Sequence, residues 1–215
     1  FRFNTGDIDL AGLSNLTNKS TLLDVGGDVT MNGGKLDNYG KLEMLGGTFD
    51  ITLTGGSLIN QGLGTISCDG IITMNGAAIF TNLGIVNGTG GLQNPAIVMG
   101  TGLLTNSKTM LADSITSAGG SLTNGGTLTV TNGINLAGAG ALNNNAGTLT
   151  VTDIDMVNGT LNNKAVLNTD TIEFTGTGSI INSKNINQRG AGGVDITFAG
   201  GSLTNGGLMT TVDAL

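Results

Sequence analysis

The 215-residue chain has no histidine, no tryptophan, one cysteine and one proline. Without imidazole, and with a single thiol, it lacks the means for a nitrogen- or sulfur-rich metal site and for a Ser-His or Cys-His catalytic pair. Cys68 has no second cysteine to pair with, so stability must come from packing and hydrogen bonding rather than an internal disulfide. A single proline excludes a collagen-like chain. Aromatic residues make up 3% of the sequence and the net charge is −7. The first figure argues against stacking on bases and the second against binding a phosphate backbone, so no nucleic acid is expected as a partner. No apolar run approaches the roughly 18 residues of a membrane helix, and no membrane span is expected. With 11% charged and 38% hydrophobic residues, the chain is also too apolar for ordinary disorder. No signal peptide is evident, and the sequence opens on Phe1 rather than Met, as a processed product or fragment would.

What the chain has in quantity is glycine, 39 residues, and asparagine, 25. Both fall on a repeat: small-Leu-x-Asn-x-x-x-Leu-x-Val, then Ile-x-(Leu, Met or Phe), then glycine. The clearest copy runs from Gly120-Ser121-Leu122-Thr123-Asn124 through Leu128-Thr129-Val130 to Ile134-Asn135-Leu136. Anchored on asparagine, the copies fall at Asn18, Asn38, Asn60, Asn82, Asn106, Asn124, Asn144, Asn163, Asn182 and Asn205, spaced 18 to 24 residues apart. The longer intervals carry small insertions, such as Leu63-Gly64 and the Thr89–Asn94 stretch before Pro95.

Within each copy, apolar and polar residues alternate over three to five positions between glycines and asparagines, and no 3.6-residue pattern appears. Three short strands and tight turns make one rung too small to bury its own core, which gains stability only by stacking. The expected fold is all-β: a single-stranded, right-handed parallel β-helix (β-solenoid) of about ten rungs, one domain over 1–215. At roughly 4.8 Å per rung, the rod would be on the order of 50 Å long.

The alternation predicts apolar columns. The second strand supplies Leu42/Met44, Ile66/Cys68, Leu128/Val130 and Leu149/Val151, and the third supplies pairs such as Ile154/Met156, Ile172/Phe174 and Ile196/Phe198. Cys68 and the methionines are therefore expected to be core rather than reactive or metal-binding groups. Each anchor asparagine lies two residues after an inward leucine, so its amide should point inward and bond along the axis to its neighbours. Glycines after it, as in Gly125-Gly126, are expected to supply the positive φ of a tight turn. Dipeptides such as Gly119-Gly120 and Gly192-Gly193 lack the helix and lysine of a phosphate loop.

This Gly-x-Leu-x-Asn unit of about 20 residues resembles the right-handed β-helix repeats of secreted bacterial proteins. Filamentous-haemagglutinin-like adhesins and autotransporter passenger domains are the nearest families, and pectate-lyase-like proteins are more distant. The resemblance covers about Leu13 to Leu208 and implies an extracellular or cell-surface location with a structural or adhesive role. It leaves open a host or cell-surface glycan or protein as partner.

One acidic cluster stands out. Aligned third strands put Asp155 beside Glu173 on adjacent rungs, with Asp153 and Asp195 on the same outward face and Thr171 between them. Carboxylates about 5 Å apart suit a glycoside-hydrolysing pair or calcium ligands, against the plain alternative of a solvated face. We expect no catalysis and no cofactor from it, with Ca2+ or another cation as the ligand it could hold. Outward threonines at Thr127, Thr129 and Thr131 and at Thr148, Thr150 and Thr152 raise ice binding, which needs a wider threonine array than two rungs. Expected function is thus a structural solenoid that stacks end to end with its own copies into a filament, or forms the rod of an adhesin. A carbohydrate-binding or carbohydrate-active solenoid is the alternative.

Overall fold

A computed structural model describes residues 2–44, 49–88, 94–189 and 195–210, with the side chains of 2–4 left aside. The Gly192-Gly193 loop and most of the Thr89–Asn94 insertion lie outside the described residues. Among those described, every regular element is a β-strand and all 26 strands belong to one sheet. Every pairing is parallel, and each strand pairs with the equivalent strand one turn away, as Leu104, Leu122, Leu142, Leu161 and Ile180 do in succession. The chain therefore coils as a parallel β-solenoid of about nine turns, and the ten asparagines mark its rungs.

Each turn has three sides. Side one holds the Leu-x-Asn strands, for example Ser121–Asn124. Side two follows with strands such as Thr109–Ala112, and side three with strands such as Thr171–Phe174. Several strands are longer than the sequence suggests. Ile8–Asn18, Val29–Asn38 and Ile51–Asn60 run from side three through the corner into side one. Thr127–Leu136 and Thr148–Met156 pass likewise from side two to side three. Pairing survives these bends because the register shifts there, between Gly12 and Asn15 or between Val130 and Gly133.

The glycine expectation needs correction. Gly125 and Gly126 do not have positive φ; those that do are mostly at the corner between sides three and one, among them Gly33 (116°) and Gly56 (76°). A Cβ on Gly56 would also stand 2.4 Å from the Gly33 carbonyl oxygen, so this glycine serves both conformation and close approach. Gly126 has only the second reason: its Cβ would lie 2.2 Å from the Lys108 carbonyl oxygen on the neighbouring rung. The stacking distance, rather than a left-handed turn, is what excludes a side chain there.

Inside, the columns are closed to solvent. Leu42, Met44, Ile66, Cys68, Leu128, Val130, Leu149 and Val151 are buried, and so are Ile154, Met156, Ile172 and Phe174. Of the seven methionines, six are buried and Met209 packs partly buried against the same core, as gap-fillers in a column would. Ile196 and Phe198 depart from the expected burial. They belong to the last described turn, where Phe198 is 44% exposed while stacking on Phe174 with ring centroids 5.0 Å apart.

Candidate functional site

The inward amides form one continuous chain of hydrogen bonds. Asn18 Nδ2 donates to Asn38 Oδ1, Asn38 to Asn60, and so on through Asn82, Asn106, Asn124, Asn144, Asn163, Asn182 and Asn205, at 2.7–2.9 Å throughout. Every donor points toward the C-terminal rung. The second amide hydrogen of each bonds a backbone carbonyl at the start of side two on the next rung, such as Thr65 O from Asn38 and Thr109 O from Asn82. In Asn18, Asn82, Asn124, Asn182 and Asn205 the Oδ1 also accepts a backbone N–H two residues on, as from Ser20, Gly84 and Lys184. Nine of the ten asparagines are buried, and among the described residues no buried side-chain nitrogen or oxygen lacks a partner. A desolvated amide costs little once its donors and acceptors are all met. Chemically, the ladder fixes register and direction; between its two ends it leaves nothing free for a ligand.

Cys68 is fully buried, its Sγ 3.4 Å from the Phe49 carbonyl oxygen. Burial pushes its thiol up to about 11; a hydrogen bond from the Gly70 backbone opposes the shift, and the charges of Asp50, Asp69 and Asp28 each add less to it. Native protein at pH 8 should therefore resist a disulfide reagent that reacts at once after denaturation; rapid native labelling would contradict this. The raised value also sets a sign. Below pH 9.0 both states keep the proton; from there to about 11 the unfolded chain releases it while the fold does not. Stability due to Cys68 is thus full below pH 9 and declines above it, by up to roughly 2–3 kcal/mol. Cys68→Ala, matching Ala112 on the same side, should remove that part of the alkaline decline in a pH series of urea midpoints.

On side three the register sets Asp155 opposite Glu173, both exposed. Asp153 pairs with Thr171 and Thr171 with Asp195, so those two acids stand two rungs apart. Thr171 Oγ1 lies 2.6 Å from Asp153 Oδ1 and occupies it. Asn135 and Thr197 flank the acidic pair. Among the described residues, no group of three or more His, Cys, Asp or Glu is arranged to hold a metal ion. Two shallow hollows, of about 240 and 380 Å³, open instead on the first rungs, against residues such as Leu16 and Leu23 or Tyr39 and Leu63. The threonine columns are short: Thr109, Thr127 and Thr148 end at Val166, and Thr129 and Thr150 lie between Leu111 and Asn168.

Two features escaped the sequence reading. At the corner between sides two and three, Asp7, Asp28 and Asp50 stack, each Oδ1 accepting a backbone N–H from the next rung, at 2.8–3.0 Å. At the corner between sides one and two stand Lys19, Lys108, Lys164 and Lys184, in the turns after the anchor asparagines, with Lys41 opening the side-two strand beside them. A spacing near 20 residues was the only signal, and varied turn lengths blur it. No helix is long and apolar enough to cross a membrane among the described residues. Comparison of the chain with family models, with curated proteins and with solved structures finds no match, so the likeness to filamentous-haemagglutinin-like adhesins and autotransporter passenger domains rests on the repeat pattern alone.

Proposed function

We propose that the chain is a structural protein of the cell surface or extracellular space, its solenoid stacking end to end into a filament or forming one length of an adhesin rod. The direction of the asparagine ladder carries this reading. Asn205 accepts from Asn182, and among the described residues its own Nδ2 meets no acceptor. Another copy's Asn18, donating onward to Asn38, can continue the series. In the last described turn Leu203 is 37% exposed and Phe198 44%, so the apolar columns there are also uncovered. Such a contact joins unlike ends and does not close, which builds a filament. Among the described residues side two has one strand more than the other sides, from Arg2–Thr5 to Leu208–Met209. An in-register junction therefore has room for only one of these two, and the two-residue strand is the easier to displace.

Electron microscopy tests the reading. Unbranched fibres one solenoid wide should lengthen with protein concentration and show an axial repeat near 4.8 Å. A strict monomer at high concentration would overturn the filament form. Asp155 and Glu173 give the carbohydrate alternative its one support, their adjacent placement on an exposed sheet side. Asp155→Asn abolishing turnover of an acidic glycan would establish that alternative.

A further inference from the structure

We propose that the solenoids also associate side by side, the lysine corner of one copy lying along the acidic side three of the next. This goes beyond end-to-end stacking and rests on how the coil sorts charge. Four lysines, Lys19, Lys108, Lys164 and Lys184, occupy the turns between sides one and two and are exposed. That corner faces away from side three in a three-sided coil. Side three carries exposed Asp9, Asp155, Glu173 and Asp195, backed by the Asp7–Asp28–Asp50 column at its leading corner. Arg189 is the described cation on this acidic flank, held through its Nη1 to Thr152 and its backbone N–H to Asp170.

Local pairing does not consume the lysines. Lys35 and Lys41 bond Asp37 and Glu43 on their own strands. Lys108 Nζ donates to the Gly62 carbonyl at 2.9 Å, and no carboxylate within ion-pair reach is seen for Lys19, Lys108, Lys164 or Lys184 among the described residues. Between Lys19 and Lys108 the same corner also carries apolar side chains: Leu63 is 92% exposed, Tyr39 47% and Leu83 37%. A hollow beside them is lined by Lys19, Tyr39, Lys41 and Leu63. Apolar side chains at the middle of a contact with charges around them is the arrangement of protein interfaces.

The occupant is a second copy because the two surfaces share one ruler. Lys164 and Lys184 lie on successive rungs, and so do Asp155 and Glu173, so charges on neighbouring rods repeat at the same interval. The net charge of −7 opposes association, but salt screens it beyond about 10 Å at 0.1 M, while facing pairs at contact are screened less.

Small-angle scattering reads rod width and length separately, so a failure of lateral pairing is distinguishable from a failure of end-to-end stacking. The whole chain should widen with concentration near 0.1 M salt and return to single-rod width near 1 M. Lys19→Glu, Lys108→Glu, Lys164→Glu and Lys184→Glu together should weaken widening by about tenfold or more, as should Asp9→Lys, Asp155→Lys, Glu173→Lys and Asp195→Lys. An equimolar mixture of the two variants should recover it, since each then supplies what the other lost. Both sets leave the ladder and core untouched, and unchanged circular dichroism of each checks folding. Widening that ignores salt, survives either reversal or fails to return on mixing would overturn the proposal. So would a single-rod width at every concentration in a wild type that a dextran-sulfate column retains through these lysines, which would give the corner to an anionic polymer.

Discussion

Asn124→Ala is expected to cost about 3–5 kcal/mol, although it removes only a few polar atoms and no apolar area. Asn124 accepts from Asn106 and donates to Asn144, both at 2.9 Å, and also reaches the Gly126 and Thr148 carbonyls. Truncation leaves an amide hydrogen of Asn106 and the Oδ1 of Asn144 short of a partner in a buried interior. Each orphaned buried group costs roughly 1–3 kcal/mol, and the small cavity adds to it. The loss should appear as a lower urea midpoint with an unchanged slope. Exposed Asn145→Ala, one residue along, should stay within about 0.5 kcal/mol. The double change Asn124→Ala with Asn144→Ala should cost less than the sum of the two, because their shared bond can be lost only once. A cost at Asn124 equal to that at Asn145 would refute the ladder as a stabilising element.

Phe80→Ala should cost a comparable 3–5 kcal/mol for a different reason. Phe80 is fully buried and sits in a leucine column, between Leu58 and Leu104 on the adjacent rungs. Alanine leaves a cavity that stacked backbones, tied to rungs above and below, cannot close. Leucine restores the column's usual occupant, so Phe80→Leu should lose less than about 1.5 kcal/mol. Since each rung contacts only its neighbours, amide exchange should rise first around Leu58 and Leu104 and least near the far turns. Equal losses for the two substitutions would refute this account.

Much of this was legible in the sequence because it depends on the identity of one residue at one phase of a period-two pattern. Leu122-Thr123-Asn124 states inward, outward, inward, and the ten-fold recurrence states that the amides stack. The same logic reads Leu128/Val130 and Ile172/Phe174 as core. What the pattern could not give was behaviour at the corners. Gly126 looks like a turn glycine but is required by the approach of Lys108, a contact across 18 residues that exists only once the register is set. Strands such as Ile51–Asn60 keep pairing round a bend where the alternation breaks. Phe198 fits its column by sequence and is nonetheless partly exposed, because burial needs a rung on both sides. The lysine corner was hidden for a similar reason: its members are distant in sequence, and only the coil gathers them.

The uniform direction of the ladder has an electrical consequence. In a parallel sheet the backbone N–H and C=O groups alternate along the axis and their dipoles largely cancel. The ten anchor amides do not alternate, since each N–H points toward the C-terminal rung and each C=O oxygen toward the N-terminal one. Their dipoles add, giving the rod a positive C-terminal pole and a negative N-terminal one. Rods joined head to tail add their moments, whereas rods joined head to head oppose them. Electric birefringence would read this as an orientation signal that grows with each added copy.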